Sequence, residues 1–277
     1  MKTILVINDD SFEAEHAAKF ALVIAQKVQA DILLANRQSE TRKIIEKVVA
    51  GNAQKNTGIE KGPHILHEHL SLLNDLSVGY LPSIKEVDIT DLNETDLAEV
   101  INRNQIWLVV KGMADILPEE LQKKQVNIDT VLKRVLCPVL LIPYAWSIRN
   151  IERLVYIADL RYCRMHIVKY LVEFAKLWPA DLSIAHLSAK GLPNMEESYA
   201  QGIFSQEICN NVDYDRMFFN NIKERNMATA VDVMINGMHN DILALINHRF
   251  HFEEIIGNYI TERLPSAITI PLLIFPS

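Results

Sequence analysis

The chain has 277 residues, of which 49% are hydrophobic and 23% are charged, and its formal net charge is −7. This composition is that of ordinary globular chains and excludes a disordered, collagen-like or coiled-coil protein. The length predicts two domains or one large domain. Both halves of the chain are acidic, which argues against a nucleic-acid partner because a phosphate backbone selects basic surfaces.

The first half alternates short apolar runs with helical patterns. The predicted strands are residues 3–7, 31–35, 84–89, 106–110 and 139–142. The predicted helices are residues 13–28, 40–49, 97–102 and 128–136. This alternation is typical of a parallel sheet built from βαβ units.

The second half repeats the same alternation. Its predicted strands are residues 153–157, 181–186, 216–221, 241–246 and 271–275. Its clearest predicted helices are residues 164–177, 227–235 and 252–264. Right-handed crossovers then give a doubly wound α/β fold, in which ligands bind beyond the carboxyl ends of the strands at the topological switch point.

The two halves also align with each other. At an offset of 150 residues, ILVINDD (4–10) aligns with LVYIADL (154–160), and the match continues without a gap from 20–36 to 170–186. The closing segments CPVLLIP and IPLLIFP match at a shorter offset, which assigns the extra length of the first copy to residues around 56–80. The sequence therefore predicts two copies of one domain, residues 1–146 and 147–277.

Several features of each copy resemble a universal stress protein domain. They are the first strand that ends in Asp9, the alanine-rich first helix, the Ala30-Asp31 pair before the second strand, and the closing VLKRVLCPVLLIP. The resemblance implies two tandem doubly wound domains of the adenine nucleotide alpha hydrolase-like type, with strand order 3-2-1-4-5. It also implies an ATP site in those members that bind nucleotide. Finally, it implies that the domains pair through their last strands, here residues 138–143 and 271–276, within one chain.

The nucleotide motif of that family is G-x-x-G, nine residues, then G-[S/T], and this sequence departs from it in both copies. Counting back from the closing strands, the four positions hold Gly112, Asp115, Gln125 and Val126 in the first copy. In the second copy they hold Ala244, Asn247, Gly257 and Asn258. Glycines at these positions let backbone amides approach phosphate oxygens. We therefore expect degenerate sites, and expect the Asp115 carboxylate to repel phosphate in the first.

Candidate ligand contacts remain in both copies. Gly257 and Asn258 could offer an amide and a side-chain donor to an anion, with His248, Arg249 and His251 nearby, or they could be ordinary loop residues. Asp9 and Asp159 match the aspartate that lies beside the adenine and ribose in nucleotide-binding relatives. Alternatively, each aspartate caps the turn or helix that follows its strand.

Other patterns carry no predicted chemistry. His64, His67 and Glu68 would share a helix face, but they lack the HExxH spacing, so a solvated face is expected and no metal site. No nucleophile motif or paired-acid spacing indicates a catalytic residue. Asp91 or Asn93 is predicted to be the N-cap of the helix that follows.

The compartment follows from the cysteines and the apolar runs. The three cysteines, Cys137, Cys163 and Cys209, are widely spaced, with no CxxC pair, so neither a disulfide framework nor a thiolate zinc site is predicted. No apolar run reaches the roughly 18 residues that span a bilayer, and the first run is too short for a signal-peptide core. We expect a cytoplasmic protein that does not bind a membrane.

Two functions follow from the resemblance. The first is a non-catalytic stress-response or regulatory protein without a cofactor, which binds a small ligand or a protein partner as a monomer or a homodimer. The alternative is a universal stress protein that binds ATP, with slow ATP hydrolysis or ATP-gated oligomerisation. A doubly wound enzyme of another class would need a dinucleotide or HIGH-like motif, and the sequence contains neither.

Overall fold

Ten strands form one sheet in this computed structural model, which describes residues 1–37, 64–76, 79–114, 126–224, 226–249, 251–261 and 263–277. The strands are β1 (Lys2–Asn8), β2 (Ala30–Asn36), β3 (Ile84–Asp88), β4 (Leu108–Met113), β5 (Val139–Pro143), β6 (Arg153–Ala158), β7 (Asp181–His186), β8 (Met217–Asn221), β9 (Ile242–Ile246) and β10 (Leu272–Phe275). Their order across the sheet is β3-β2-β1-β4-β5-β10-β9-β6-β7-β8. All ten predicted strands are confirmed, with boundaries that differ by a few residues.

The helices of the described ranges are α1 (Phe12–Val28), α2 (His64–Asp75), α3 (Glu94–Arg103), α4 (Ile128–Leu132), α5 (Met165–Ala175), α6 (Glu197–Ile203), α7 (Met227–Asp232) and α8 (Phe252–Ile255). The predicted helix over 40–49 lies outside the described residues, as does most of the extra segment around 56–80. None of the helices described here combines the length and the hydropathy that crossing a membrane requires.

One predicted helix is wrong in its length. The pattern predicts a helix over 252–264, but α8 ends at Ile255. Gly257 follows with φ of +103°, a left-handed conformation that a continuing helix cannot contain. The predicted helix over 227–235 also changes character, because α7 ends at Asp232 and a π-helical turn occupies 233–237.

Helix α1 shows why its sequence forms a helix against the sheet. The Ser11 hydroxyl accepts a hydrogen bond from the Ala14 amide at 3.0 Å, which makes Ser11 the N-cap. Acidic residues in the first turn and Lys27 in the last suit the helix dipole. The buried face consists largely of alanines, which let the helix axis approach the strands closely. The predicted N-cap Asn93 is likewise confirmed, since its side chain accepts from the amides of Thr95 and Asp96.

The two halves of the sheet meet where β5 and β10 run antiparallel, whereas every other strand pair in the described sheet is parallel. Leu141 lies opposite Leu272, Leu140 opposite Leu273 and Val139 opposite Ile274. All six side chains are completely buried. The predicted pairing between 138–143 and 271–276 is confirmed.

Aromatic side chains join the halves beside this seam. The Trp107 ring, at the start of β4, stacks on Tyr170 of α5 at 5.0 Å between centroids, and the Tyr170 hydroxyl donates to the Trp107 carbonyl at 3.2 Å. Phe20 of α1 packs on Trp146 at 5.0 Å and on Trp178 at 6.2 Å. We call this group the aromatic cluster; it consists of Phe20, Trp107, Trp146, Tyr170, Phe174 and Trp178.

Phe174 tests how far the aromatic cluster stabilises the fold. Its side chain is 0% exposed and contacts both Trp107 and Trp178. Phe174→Ala should lower the free energy of unfolding by about 3–5 kcal/mol, because it leaves a cavity between the halves. Phe12→Ala, at a side chain that is 72% exposed, is the matched control and should change it by less than about 0.5 kcal/mol. Urea titration followed by tryptophan fluorescence measures both, and equal effects would contradict the prediction.

Candidate functional site

The sheet order creates a switch point in each half. β1 lies between β2 and β4, and β6 lies between β7 and β9. Asp9 follows β1 and Asp159 follows β6, so each aspartate lies at the carboxyl end of the strand where connections leave in opposite directions. The two positions nevertheless differ in their contacts.

In the first half, Asp9 shapes the turn that starts α1. Its Oδ1 accepts from the Ser11 amide at 3.2 Å and from the Ser11 hydroxyl at 2.5 Å. Ser11 is in turn the N-cap of α1. Next to it, Asn8 is buried and donates to Asn36 Oδ1 at 2.8 Å, which ties the ends of β1 and β2 together. Of the two roles considered for Asp9, these contacts support the structural one, in which the aspartate caps a turn.

Gly112 has a packing reason to be glycine. A Cβ atom at this position would lie 2.1 Å from the carbonyl oxygen of Glu13 and 2.9 Å from the Ala14 amide nitrogen, so the start of α1 rests directly on β4. The other predicted first-copy positions, Asp115 and Gln125, lie outside the described residues. Val126 is described and its side chain is buried.

The strand register corrects the second copy of the motif. Val109 pairs with Leu5, and Leu243 pairs with Val155, which is the repeat equivalent of Leu5. Ile246, three residues beyond Leu243, therefore occupies the place of Gly112. The sequence count that put Ala244 there placed the motif two residues too early in the strand. By the same register, Asp115 corresponds to Arg249.

Asn247 follows β9 and is completely buried. Its backbone amide donates to the Phe275 carbonyl at 2.8 Å. Neither its side-chain oxygen nor its side-chain nitrogen has a hydrogen-bond partner in the described structure. Burying an amide without partners costs free energy, and none of the cavities described here is lined by Asn247.

Asp159 is held by an ion pair in which the carboxylate is buried and the guanidinium of Arg161 is partly exposed. Its carboxylate accepts from Arg161 Nε at 2.8 Å and Nη2 at 2.6 Å, and also from the Ala189 amide at 2.9 Å. Burial raises the pKa of Asp159, but the hydrogen bonds from Arg161 and Ala189 outweigh it and bring the pKa below its usual value. The third guanidinium nitrogen donates to the Pro193 carbonyl at 3.1 Å, so Arg161 ties the end of β6 to the loop after β7.

Arg161 is a residue that sequence reasoning missed. In the 150-residue alignment it corresponds to Ser11. In the first copy the residue two positions after the aspartate, Ser11, is the N-cap of a helix. In the second copy the residue at this position, Arg161, forms an ion pair with the aspartate. The alignment of the two copies could have indicated the difference, because it pairs a small polar residue with a long basic one within a matching segment.

His186 and Ser188 form a second, partly buried contact near Asp159. The imidazole Nδ1 accepts from the Leu160 amide at 3.2 Å, so in neutral His186 the proton is on Nε2. Burial lowers the pKa of His186, which favours this neutral form. Nε2–H therefore donates to the Ser188 hydroxyl oxygen, 3.4 Å away. A histidine in this tautomer cannot accept the serine proton.

A cavity of about 500 Å3 opens beside this contact, between the loop after β7, the segment after β8 and α8. Apolar side chains such as Ile222 and Met227 line it, and two lysines and two glutamates add charges of both signs: Lys190, Lys223, Glu224 and Glu254. His251 also lines it. Its Nε2–H donates to the Leu187 carbonyl at 2.8 Å, and burial lowers its pKa.

The remaining predicted residues are dispersed. His248 Nε2–H donates to Asp129 Oδ1 of the first half at 2.9 Å, while Lys133 Nζ lies 2.7 Å from Asp129 Oδ2. Gly257 adopts a left-handed turn in open space, and Asn258 is exposed. The structure thus brings Asp159 and His251 to the same end of the sheet, but it directs His248 across the seam between the halves.

The structure shows no metal-binding geometry among the residues it describes. His67 bonds to the Ile84 carbonyl at 3.2 Å, and His69 lies 3.1 Å from Glu15. The side chain of His64 lies outside the described residues.

Comparisons with known proteins identify the fold. No family model and no curated protein matches the sequence. The chain is similar in structure to a universal stress protein from Archaeoglobus fulgidus, with a TM-score of 0.60 and 11% identity over 99% of this chain and 97% of that one. It is also similar to a functionally unknown protein from Pseudomonas aeruginosa, with a TM-score of 0.55 and 15% identity over 99% and 92% of the two chains. The chain therefore has the α/β fold of universal stress proteins.

The close contact at Gly112 predicts a loss of stability when a side chain is added. Gly112→Ala should lower the free energy of unfolding by about 1–3 kcal/mol or more, because the atom in the way belongs to the α1 backbone. Gly202→Ala is the control, since a Cβ on that α6 residue meets nothing within 4 Å. It should stabilise by about 0.5–1 kcal/mol. If Gly112→Ala leaves the free energy of unfolding unchanged in urea denaturation, the close packing of α1 on β4 is contradicted.

The Asp159–Arg161 pair predicts a pH-dependent defect. Arg161→Met leaves a buried carboxylate without its ion-pair partner and should cost about 3 kcal/mol at pH 7. Without the guanidinium, burial raises the Asp159 pKa, so the carboxyl group is protonated sooner and the deficit should shrink as the pH falls towards 4. In the wild type the lowered pKa stabilises the fold above about pH 4, and this contribution is lost on acidification below it.

The double variant Asp159→Asn/Arg161→Met is the control for that defect. It removes the charge together with its partner, so it should be more stable at pH 7 than Arg161→Met alone. Urea titrations from pH 4 to pH 7 measure all three proteins. A deficit that stays constant with pH would show that the lost contacts of Arg161, rather than the unpaired charge, cause the effect.

Proposed function

We propose that this chain is a tandem universal stress protein that acts as a non-catalytic stress-response or regulatory binding protein. In this proposal, residues 1–146 and 147–277 are two copies of one domain. The strand neighbours support it, because β3-β2-β1-β4-β5 is matched by β8-β7-β6-β9-β10 on the other side of the seam. Each half then has the order 3-2-1-4-5 that the family resemblance implies.

The occupied carboxylate of Asp159 is the observation that carries the proposal. Both of its oxygens accept hydrogen bonds from Arg161 and from the backbone. A nucleotide that used this aspartate would first have to displace Arg161 from a buried carboxylate. In addition, the second copy has Ile246 at the position that the family's motif gives to its first glycine. We therefore infer that the second copy recognises its ligand without the nucleotide contacts of the family.

The proton positions support a non-catalytic role. Ser188 and His186 are the nearest approach to a nucleophile and base at this site, but Nε2 of neutral His186 carries the proton that donates to Ser188. General-base catalysis needs the opposite arrangement, with a free nitrogen lone pair towards the hydroxyl group. The pair holds the loop after β7 in place.

The cavity beside Ser188 is the ligand site that we propose. Two lysines, Lys190 and Lys223, balance the carboxylates of Glu224 and Glu254, so the lining has no excess positive charge to hold a triphosphate. A small uncharged or zwitterionic polar molecule suits such a lining, since both signs of charge can be matched. In this proposal, such a molecule rather than ATP is the ligand that regulates the protein.

Nucleotide binding is the test of the proposal. Protein purified from its native cells should carry no adenine nucleotide after denaturation, as read by absorbance and mass spectrometry. In calorimetry, ATP should bind no tighter than about 1 mM, or roughly −4 kcal/mol, because most of the phosphate-facing glycines are missing.

The alternative, an ATP-binding protein with slow hydrolysis or ATP-gated oligomerisation, makes the opposite prediction. Gly257 favours it, because this glycine lies in open space where a phosphate could approach its backbone. Micromolar ATP binding that Gly257→Val abolishes would establish this alternative. Gly79→Val is the matched control, since Gly79 also has positive φ and no atom within 4 Å of an added Cβ.

A further inference from the structure

The two outer edges of the ten-stranded sheet differ in how they are protected. In β3, at one edge, three of the five residues are charged: Lys85, Glu86 and Asp88. Charged side chains on an edge strand oppose pairing with another chain. In β8, at the other edge, the sequence is MFFNN and contains no charge. Phe218 in this strand is 48% exposed.

The backbone of β8 has one side free for pairing. The Leu182 amide donates to the Arg216 carbonyl at 2.9 Å, and the Ile222 amide donates to the His186 carbonyl at 2.8 Å. In a parallel ladder these bonds turn every second residue of β8 towards β7. The amides and carbonyls of Met217, Phe219 and Asn221 therefore point outward, and no residue in the described ranges bonds to them.

We propose that β8 is a homodimer interface, at which it pairs antiparallel with β8 of a second copy of this chain. Opposing residues of an antiparallel pair must both point towards the partner or both away. Centring the two-fold axis on Phe219 satisfies this rule and uses all three outward-facing residues. Met217 then lies opposite Asn221 of the second copy, and Phe219 lies opposite itself.

Charge complementarity selects a second copy as the occupant of this edge. Asp215 is the second residue before β8 and Lys223 is the second residue after it, and both are exposed. In the register centred on Phe219, Asp215 of one copy comes alongside Lys223 of the other. The two-fold axis repeats this contact. The edge is therefore self-complementary both in its charges and in its outward-facing amides and carbonyls.

A charge exchange tests the register. Sedimentation equilibrium of the wild type should show a reversible dimer in the micromolar range. Asp215→Lys and Lys223→Glu should each weaken it, by roughly 2- to 30-fold in Kd, because each creates two like-charge contacts. The double variant Asp215→Lys/Lys223→Glu should restore the dimer. Glu197→Gln is the control, since it removes the intramolecular partner of Lys223, 2.7 Å away, and should leave Kd unchanged.

A backbone variant tests the edge itself. Asn221→Pro removes one outward amide and leaves the bonds to β7 in place, so it should produce a monomer with an unchanged circular dichroism spectrum. If this variant does not fold, the dissociation constants of the Asp215→Lys and Lys223→Glu variants and of their double variant test the proposal. A wild type that is monomeric across the micromolar range would overturn the proposal. A dimer that neither the charge reversals nor Asn221→Pro weaken would also overturn it, because its contact would lie elsewhere.

Discussion

Three apolar residue pairs between β5 and β10 join the two halves of the sheet. Without them, each half would expose the fully buried face and open backbone of its closing strand, such as Leu140 or Leu273. The antiparallel direction also sets the local two-fold relation between the halves. It brings α1 and α5 close enough for the aromatic cluster to form, and it places His248 beside Asp129 across the seam.

Short apolar runs predicted the eight inner strands, because a buried parallel strand has a dense apolar signature that few other elements share. The edge strands β3 and β8 are only partly apolar, and their place in the alternation of strands and helices predicted them. The seam between the closing strands was predicted from the resemblance to the universal stress protein family. Helix ends were harder to predict. The apolar pattern after Phe252 continues to Leu264, but the left-handed backbone at Gly257 ends the helix early. The φ angle of a single glycine cannot be predicted from its presence in the sequence.

The candidate site was only partly visible in the sequence. Asp159 was identified from the repeat, yet its partner Arg161 was not, because an ion pair depends on how a long side chain folds back over two residues. Gly112 was assigned to phosphate binding, whereas its contact with the Glu13 carbonyl is a matter of helix packing. The position of Ile246 required the strand register, since sequence spacing alone misplaced it by two residues.

The exchange of Ser11 for Arg161 shows what covalent linkage of the copies permits. In a pair of identical subunits, any residue change appears at both switch points at once. Here the two switch points are encoded separately, so one can hold its aspartate in a helix cap and the other in an ion pair. Under the proposed two-copy organisation, the halves form an asymmetric pair, and each can specialise while the other retains the shared architecture.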